Sequence, residues 1–99
     1  MKKDWIDRLN QALRGVLALR DKYPGETLLT SAVTQLEYLR AVYDGSRHDD
    51  ASLEDIDIGY LAAYPLADIL PNDLSVELCD IADKVKRDLR KSGRRPKLG

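Results

Sequence analysis

Residues 27–45, TLLTSAVTQLEYLRAVYDG, form the longest uninterrupted apolar-periodic run of the chain and predict its central helix. Their apolar side chains recur at spacings of three and four, so at 3.6 residues per turn they share one helix face. We expect Thr27 to be the N-cap and Asp44-Gly45 to end this helix. Tyr38, with Val42 near it, lies opposite the apolar face and must either meet a second packed layer or act as a contact residue. The apolar face consists of Leu29, Ala32, Val33, Leu36, Leu39 and Tyr43.

A second long helix is predicted before this stretch, over residues 4–22. Gly15 lies inside it and indicates close approach of another helix, because glycine lowers helix stability by up to ~1 kcal/mol relative to alanine. Tyr23-Pro24-Gly25 breaks the chain, and so short a connection makes the first two helices antiparallel neighbours. The apolar stripe of the helix at residues 4–22 consists of Trp5, Ile6, Leu9, Leu13, Val16 and Leu17.

Two more helices are predicted after a polar loop at residues 45–51. A short one begins at Ser52, or after Asp55 or Asp57, and ends near Pro65. Residues 56–58 alternate between apolar and acidic side chains, a pattern that is also typical of a β-strand. We reject the strand because the sequence contains no second strand candidate to pair with it. The last helix opens at 71–73, with Asn or Asp at the cap, and ends at Gly93. Its stripe is Leu74, Leu78, Ile81, Val85 and Leu89.

These segments predict an all-α fold, a compact bundle of three long helices and one short helix. Ninety-nine residues make one domain, which we assign to residues 1–93, followed by a flexible basic tail at 94–99. No apolar run approaches the ~18 to 20 residues of a membrane span, and the N-terminus does not look like a signal peptide. Cys79 is the single cysteine, so nothing suggests an oxidising compartment and we expect a cytoplasmic protein.

Charge is distributed unevenly along the chain. Residues 44–83 hold eleven acidic groups against Arg47 alone, whereas residues 84–99 hold eight basic groups against Asp88. The basic end could touch phosphates, but it lacks interleaved aromatic residues, and the acidic middle would repel nucleic acid. The acidic stretch is either a solvated surface or a patch aimed at a cationic partner.

The sequence offers little for catalysis. His48 is the only histidine and lies in the polar loop, and Cys79 lies in a predicted helix without an evident activating base. The acidic run lacks the ligand spacing and glycine of a calcium loop, and close carboxylates repel one another without a cation. We therefore expect no enzyme activity, no cofactor and no metal site.

Five tyrosines and one tryptophan, with no phenylalanine, favour a binding protein. Such side chains join an apolar body to a polar tip and often anchor interfaces. We predict a partner-facing surface around the polar loop and the short helix. Its expected residues are Tyr38, Asp49, Asp50, Glu54, Asp55, Asp57 and Tyr60.

Several short motifs follow the first helix in order: Tyr23-Pro24-Gly25, Leu28-Leu29-x-Ser31-Ala32, Gln35-Leu36-x-Tyr38-Leu39-Arg40, and later Leu53 and Ile58-Gly59. With this order, most closely across 23–40, the chain resembles one family of small bacterial immunity proteins. These are all-helical partners that neutralise type VI secretion effectors acting as NAD(P)+ glycohydrolases. Region 71–83 matches only in helical character, and the basic tail does not match. The resemblance implies a cytoplasmic, non-catalytic protein that holds a toxin domain and blocks its active site or substrate access.

Two other functions remain open at this point. The first is a helical adaptor or regulator that forms a homodimer through Tyr38 and Val42. The second is a nucleic-acid binder that uses the C-terminal helix, although the charge distribution favours a partner that is neither nucleic acid nor membrane.

Overall fold

The computed structural model describes residues 2–47 and 51–93. Its helices are α1 (Lys2–Lys22), α2 (Thr27–Tyr43), a 3-10 helix (Ala51–Asp55), α3 (Ile58–Ala63) and α4 (Asn72–Lys91). Within these described ranges there is no β-strand, so the predicted all-α fold of three long helices and one short helix is confirmed. The 3-10 helix was not predicted. Residues 94–99, assigned to a flexible tail, lie outside the described residues.

The predicted ends of the long helices are correct to within two residues at most, whereas the predicted caps are partly wrong. Glu26, not Thr27, is the N-cap of α2, and its carboxylate accepts a hydrogen bond from the Leu28 backbone N–H at 3.3 Å. Pro71, not Asn or Asp, is the N-cap of α4. The prediction that glycines end α2 and α4 is confirmed. Gly45 and Gly93 have φ angles of +87° and +76°, a region that favours glycine.

The third helix begins at the latest of the three predicted points. Ser52 lies in the 3-10 helix, and α3 follows Asp57, which occupies the N-cap position without a side-chain capping bond. Its carboxylate instead accepts a hydrogen bond from Gln35 on α2. This contact between helices replaces the capping bond. The helix ends at Ala63, shortly before Pro65, as predicted.

The apolar stripes meet in one core, as their spacing predicts. Most of their members are buried, while Ile6, Leu17, Tyr43 and Leu74 lie at its edge. Helix α1 packs mainly against α2, and α3 against α4. The core also includes Leu53 and Ile56 around the 3-10 helix, and Leu66 and Leu70 from the turn before α4.

Two glycines mark close helix contacts. A Cβ at Gly15 would lie 3.2 Å from a methyl carbon of Leu74, so the predicted close approach to α1 is confirmed, with α4 as the neighbour. A Cβ at Gly59 would lie only 2.9 Å from the Cβ of Ala82, which fixes α3 tightly on α4. The sequence analysis did not anticipate this second contact.

A polar cluster joins the three long helices at one edge of the core. The Tyr43 hydroxyl donates to an Asp88 carboxylate oxygen at 2.7 Å, and the Lys84 ammonium donates to the same oxygen at 3.1 Å. The Trp5 ring meets Tyr43 edge to face at 5.5 Å. Burial raises the pKa of Tyr43, and its hydrogen bond to Asp88 raises it further. Burial alone would raise the pKa of Asp88, but the hydrogen bonds from Tyr43 and Lys84 outweigh it and hold that pKa below its usual value.

No helix in the described part of the chain combines the length and the apolar character that crossing a membrane requires.

Candidate partner-binding surface

A groove of about 690 Å³ runs between α2 and the segment 52–57. We call it the acidic groove. One wall is a face of α2, and the other consists of the 3-10 helix and the residues that lead into α3. Its lining residues are Ser31, Thr34, Gln35, Glu37, Tyr38, Ala41, Arg47, Ser52, Asp55, Ile56 and Asp57.

The two walls are held together by one side-chain amide. The Oε1 of Gln35 accepts a hydrogen bond from the Asp57 backbone N–H at 2.9 Å, and its Nε2 donates to the Asp57 carboxylate at 2.5 Å. Below this pair, the buried side chains of Leu53 and Ile56 anchor the 3-10 helix to the core. The groove is therefore formed within the isolated protein and does not have to be ordered on binding.

Three carboxylates and one guanidinium determine the charge of the groove. Glu37, Asp55 and Asp57 line it together with Arg47, so the lining carries a net negative charge. Glu37 and Asp55 are exposed, and Asp57 is half-buried. The Arg47 guanidinium carbon lies 4.9 Å from the centre of the Tyr38 ring, within the range of a cation–π contact. A groove with carboxylates beside an aromatic ring suits a cationic side chain.

The structure brings together part of the predicted site. Tyr38, Asp55 and Asp57 meet in the acidic groove, whereas Glu54 lies in the 3-10 helix but does not line it. Asp49 and Asp50 lie outside the described residues, as does His48. Tyr38 is half-buried: it packs partly against the core and also lines the groove. Val42 also packs against the core rather than forming an open surface with Tyr38.

Besides the three predicted residues, the groove is lined by residues that the sequence did not single out as contacts, among them Glu37, Gln35 and Arg47. Glu37 shares the helix face of Tyr38, since positions 34, 37, 38 and 41 are neighbours at helical spacing, and that signal could have found it. Gln35 and Arg47 carried no such signal. Their roles depend on contacts with Asp57 and Tyr38 that only the fold creates.

Tyr60 belongs to a different surface. It lines a smaller groove of about 350 Å³ between α3 and α4, which we call the tyrosine face. The residues that line this groove are Ile56, Gly59, Tyr60, Ala63, Tyr64, Cys79, Ala82, Asp83 and Lys86. The rings of Tyr60 and Tyr64 are 5.1 Å apart. In the part of the chain that the structure describes, Ile56 is the one residue that lines both grooves, so the predicted partner surface divides into two.

The acidic stretch also divides in space. Glu77 and Asp80 face α1, where their carboxylates lie 2.7 and 3.8 Å from Arg8 nitrogens. Asp83 belongs to the tyrosine face. Acidic residues that are close in sequence therefore lie on three different surfaces. Only some of the negative charges of residues 44–83 line the acidic groove.

The described residues contain no group of three or more side chains arranged to hold a metal ion. The Cys79 thiol is half-buried, and its Sγ lies 4.0 Å from the Gly59 carbonyl oxygen. Burial raises the pKa of this thiol, and the nearby Asp83 and Asp80 raise it further. A raised pKa keeps the thiol protonated, which is unfavourable for a nucleophile.

Comparison with known proteins decides the family. The family model Tsi6 matches residues 4–87, from the first turns of α1 almost to the end of α4. The chain belongs to the Tsi6 family. Tsi6 is a family of type VI secretion immunity proteins, as the sequence motifs predicted, and the family is not itself catalytic. Membership implies binding of a cognate toxin effector. No curated protein and no solved structure matches the chain.

The Tsi6 match covers both grooves completely, because every residue that lines them lies between 31 and 86. It ends before the basic tail.

Proposed function

We propose that this Tsi6-family protein acts in the cytoplasm by binding the toxin domain of a cognate type VI effector and covering its active site with the acidic groove. The effector is proposed to consume NAD(P)+ or to act on another nucleotide. The observation that carries the proposal is the convergence of Glu37, Asp55 and Asp57 beside the Tyr38 ring. The chain itself is proposed to catalyse nothing and to need no cofactor.

Charge complementarity supports this role. A toxin that binds a nucleotide needs cationic groups for the phosphates, and an acidic surface is the complement of such a pocket. Long-range attraction would raise the association rate, and this contribution weakens as salt screens it. Contact with the half-buried Tyr38 ring would then slow dissociation, because desolvated aromatic side chains are frequent binding anchors.

The shape of the groove supports the same role. At about 690 Å³ it is large enough for one or a few side chains from a toxin loop. The Gln35–Asp57 hydrogen bonds hold one carboxylate in place before binding. Arg47 lies over Tyr38 in the free protein, so a cationic side chain of the toxin would compete with it for the ring. Binding should therefore depend on Arg47 as well as on the acids.

The test uses candidate type VI toxin domains, screened first by co-expression and pull-down, and the association of a captured domain with the protein is then measured at several salt concentrations. Reversing two exposed groove acids, Glu37→Lys with Asp55→Lys, should slow association at least about tenfold and flatten its salt dependence. The matched control reverses two exposed acids outside the groove, Asp21→Lys with Asp68→Lys, and alters net charge equally. A further variant reverses Asp49 and Asp50, which the sequence pattern predicts as partner contacts.

Thermal unfolding checks that all variants fold, since surface changes of this kind usually alter stability by less than ~0.5 kcal/mol. If the groove variant binds as the wild type does, or if the control loses affinity equally, the acidic groove is not the contact surface. Occlusion is tested separately by NAD+ consumption. A toxin that stays fully active in a saturated complex would contradict active-site covering.

A further inference from the structure

The tyrosine face carries the two most exposed aromatic side chains of the described residues. Tyr64 is 70% exposed and Tyr60 is 56% exposed, whereas Trp5 is buried and Tyr38 and Tyr43 are half-buried. Exposed aromatic rings at adjacent positions are unusual on a surface that contacts only water. The two rings are in contact, since their centroids are 5.1 Å apart at an interplanar angle of 39°.

The platform beneath the rings is rigid and mostly apolar. Gly59 lies against Ala82, so α3 cannot approach α4 more closely or rotate without a clash. Ile56 and Ala82 form buried parts of the floor, and Cys79 is half-buried there. Little conformational entropy remains to be lost on binding at such a surface, which favours association.

The charges at the rim differ from those of the acidic groove. Asp83 and Lys86 lie three residues apart on α4 and are the only charged residues of the described chain that line this groove. The rim therefore has one acid, one base and no net charge. A cationic toxin pocket gains nothing from such a rim, because attraction to Asp83 is offset by repulsion from Lys86.

A surface with one acid and one base complements a second copy of itself. Under a two-fold axis residue i of one copy meets residue j of the other, and j meets i, so both pairings form at once. We infer that the tyrosine face is a homodimer interface in which the Tyr60–Tyr64 pairs of two copies stack across the axis. Asp83 of each copy faces Lys86 of the other.

This dimer stands apart from the proposed toxin-binding role and does not obstruct it. Among the described residues, Ile56 is the one that lines both grooves, and it is buried, so a dimer through the tyrosine face leaves the acidic groove of each copy open. Each copy can then hold one toxin domain. The dimer also differs from the sequence-predicted pairing through Tyr38 and Val42, since Val42 packs against the core.

The first test is sedimentation equilibrium of the full chain without any partner, from about 1 μM to 1 mM, a range that covers weak homodimers. The wild type should show a concentration-dependent dimer. Tyr60→Ser with Tyr64→Ser should raise the dimer dissociation constant at least about tenfold. Tyr23→Ser is the matched control, because Tyr23 is 39% exposed at the α1–α2 turn and far from this face in sequence. It should dimerise as the wild type does.

The second test uses charge exchange and identifies the symmetry. Asp83→Lys alone and Lys86→Asp alone should each weaken dimerisation by a similar factor, because each places like charges across the axis. The double exchange should restore it. Mixing the two single variants should produce a heterodimer, detected by native mass spectrometry, since both cross-axis pairs are then attractive.

Three results would overturn the inference. The wild type could stay monomeric up to 1 mM, the double tyrosine variant could dimerise like the wild type, or the double charge exchange could fail to restore a dimer. Alkylation of Cys79 distinguishes the toxin as the occupant. If a bound toxin domain protects this thiol in a protein that is monomeric alone, the face belongs to the toxin and not to a second copy.

Discussion

The contact between Gly59 and Ala82 provides a sharp test of how α3 is held on α4. Replacing Gly59 with alanine adds one methyl group to the second residue of α3. Helix propensity alone would make this change stabilising by up to about 1 kcal/mol, because glycine is the poorer helix former. The structure predicts the opposite sign, since the new Cβ would lie 2.9 Å from the Cβ of Ala82.

The magnitude follows from the nature of the two atoms. A Cβ is fixed to the backbone and cannot rotate away, so one of the helices must shift. Overpacking of this kind typically costs about 1–3 kcal/mol. After subtracting the propensity gain, we expect Gly59→Ala to lower the free energy of unfolding by about 1 kcal/mol. In a domain of this size that corresponds to a melting temperature lower by about 4–8 °C.

Two other glycines serve as controls in the same thermal and urea unfolding assays. At Gly15 the nearest atoms are the flexible methyl carbons of Leu74 at 3.2 and 3.3 Å, which can give way. At Gly25 nothing lies within 4 Å. Alanine at either position should therefore be neutral or stabilising, by up to about 1 kcal/mol.

A double-mutant cycle assigns the loss to the specific contact. Combined with Ala82→Gly, which removes the opposing methyl group, Gly59→Ala should no longer destabilise, giving a coupling energy of about 1–2 kcal/mol. If Gly59→Ala stabilises the wild type, or if the two changes are additive, the reasoning about this contact is refuted.

The remaining predictions concern polar groups. Asp88→Asn should lower stability by about 0.5–1.5 kcal/mol at neutral pH, because the hydrogen bonds from Tyr43 and Lys84 would then go to a neutral amide oxygen and lose their charge assistance. Folding lowers the pKa of Asp88, so its contribution is present above the unfolded carboxyl pKa of ~3.9 and lost as pH falls through the folded pKa. The free energy of unfolding, measured with urea between pH 2 and 7, should accordingly fall less steeply toward acidic pH for Asp88→Asn than for the wild type. An equally steep fall would contradict this. Gln35→Leu should lower the free energy of unfolding by about 1–3 kcal/mol, since it removes the Gln35 amide that bonds to the half-buried Asp57. The isosteric change Gln35→Glu should destabilise at least as much, because it places a second carboxylate beside that of Asp57. Cys79 should react with a disulfide reagent at pH 7.5 more slowly than a free cysteine, because its pKa is raised, and a rate equal to that of the unfolded chain would refute this.

The sequence was most informative where a pattern repeats. Helical spacing of apolar residues located α1, α2 and α4 and nearly all of their buried positions. It was least informative at helix starts, because Glu26 and Asp57 are chosen by local geometry and by a partner on another helix. For the candidate surface, Tyr38, Asp55 and Asp57 were grouped correctly, whereas Tyr60 was placed with them only because it is near in sequence.

Local patterns in the chain specify the all-α bundle, its core and its family, because hydrophobic periodicity and short motifs are read from neighbouring residues. Helix packing, in contrast, determines which polar residues meet. The acidic stretch is continuous in the sequence. The packing of α1 and α3 around α4 nevertheless places Glu77 and Asp80 beside Arg8 and leaves Asp83 on the same face as Tyr60. Charge acts through distance in space, and spatial distance between helices is set by their packing and not by their order in the chain.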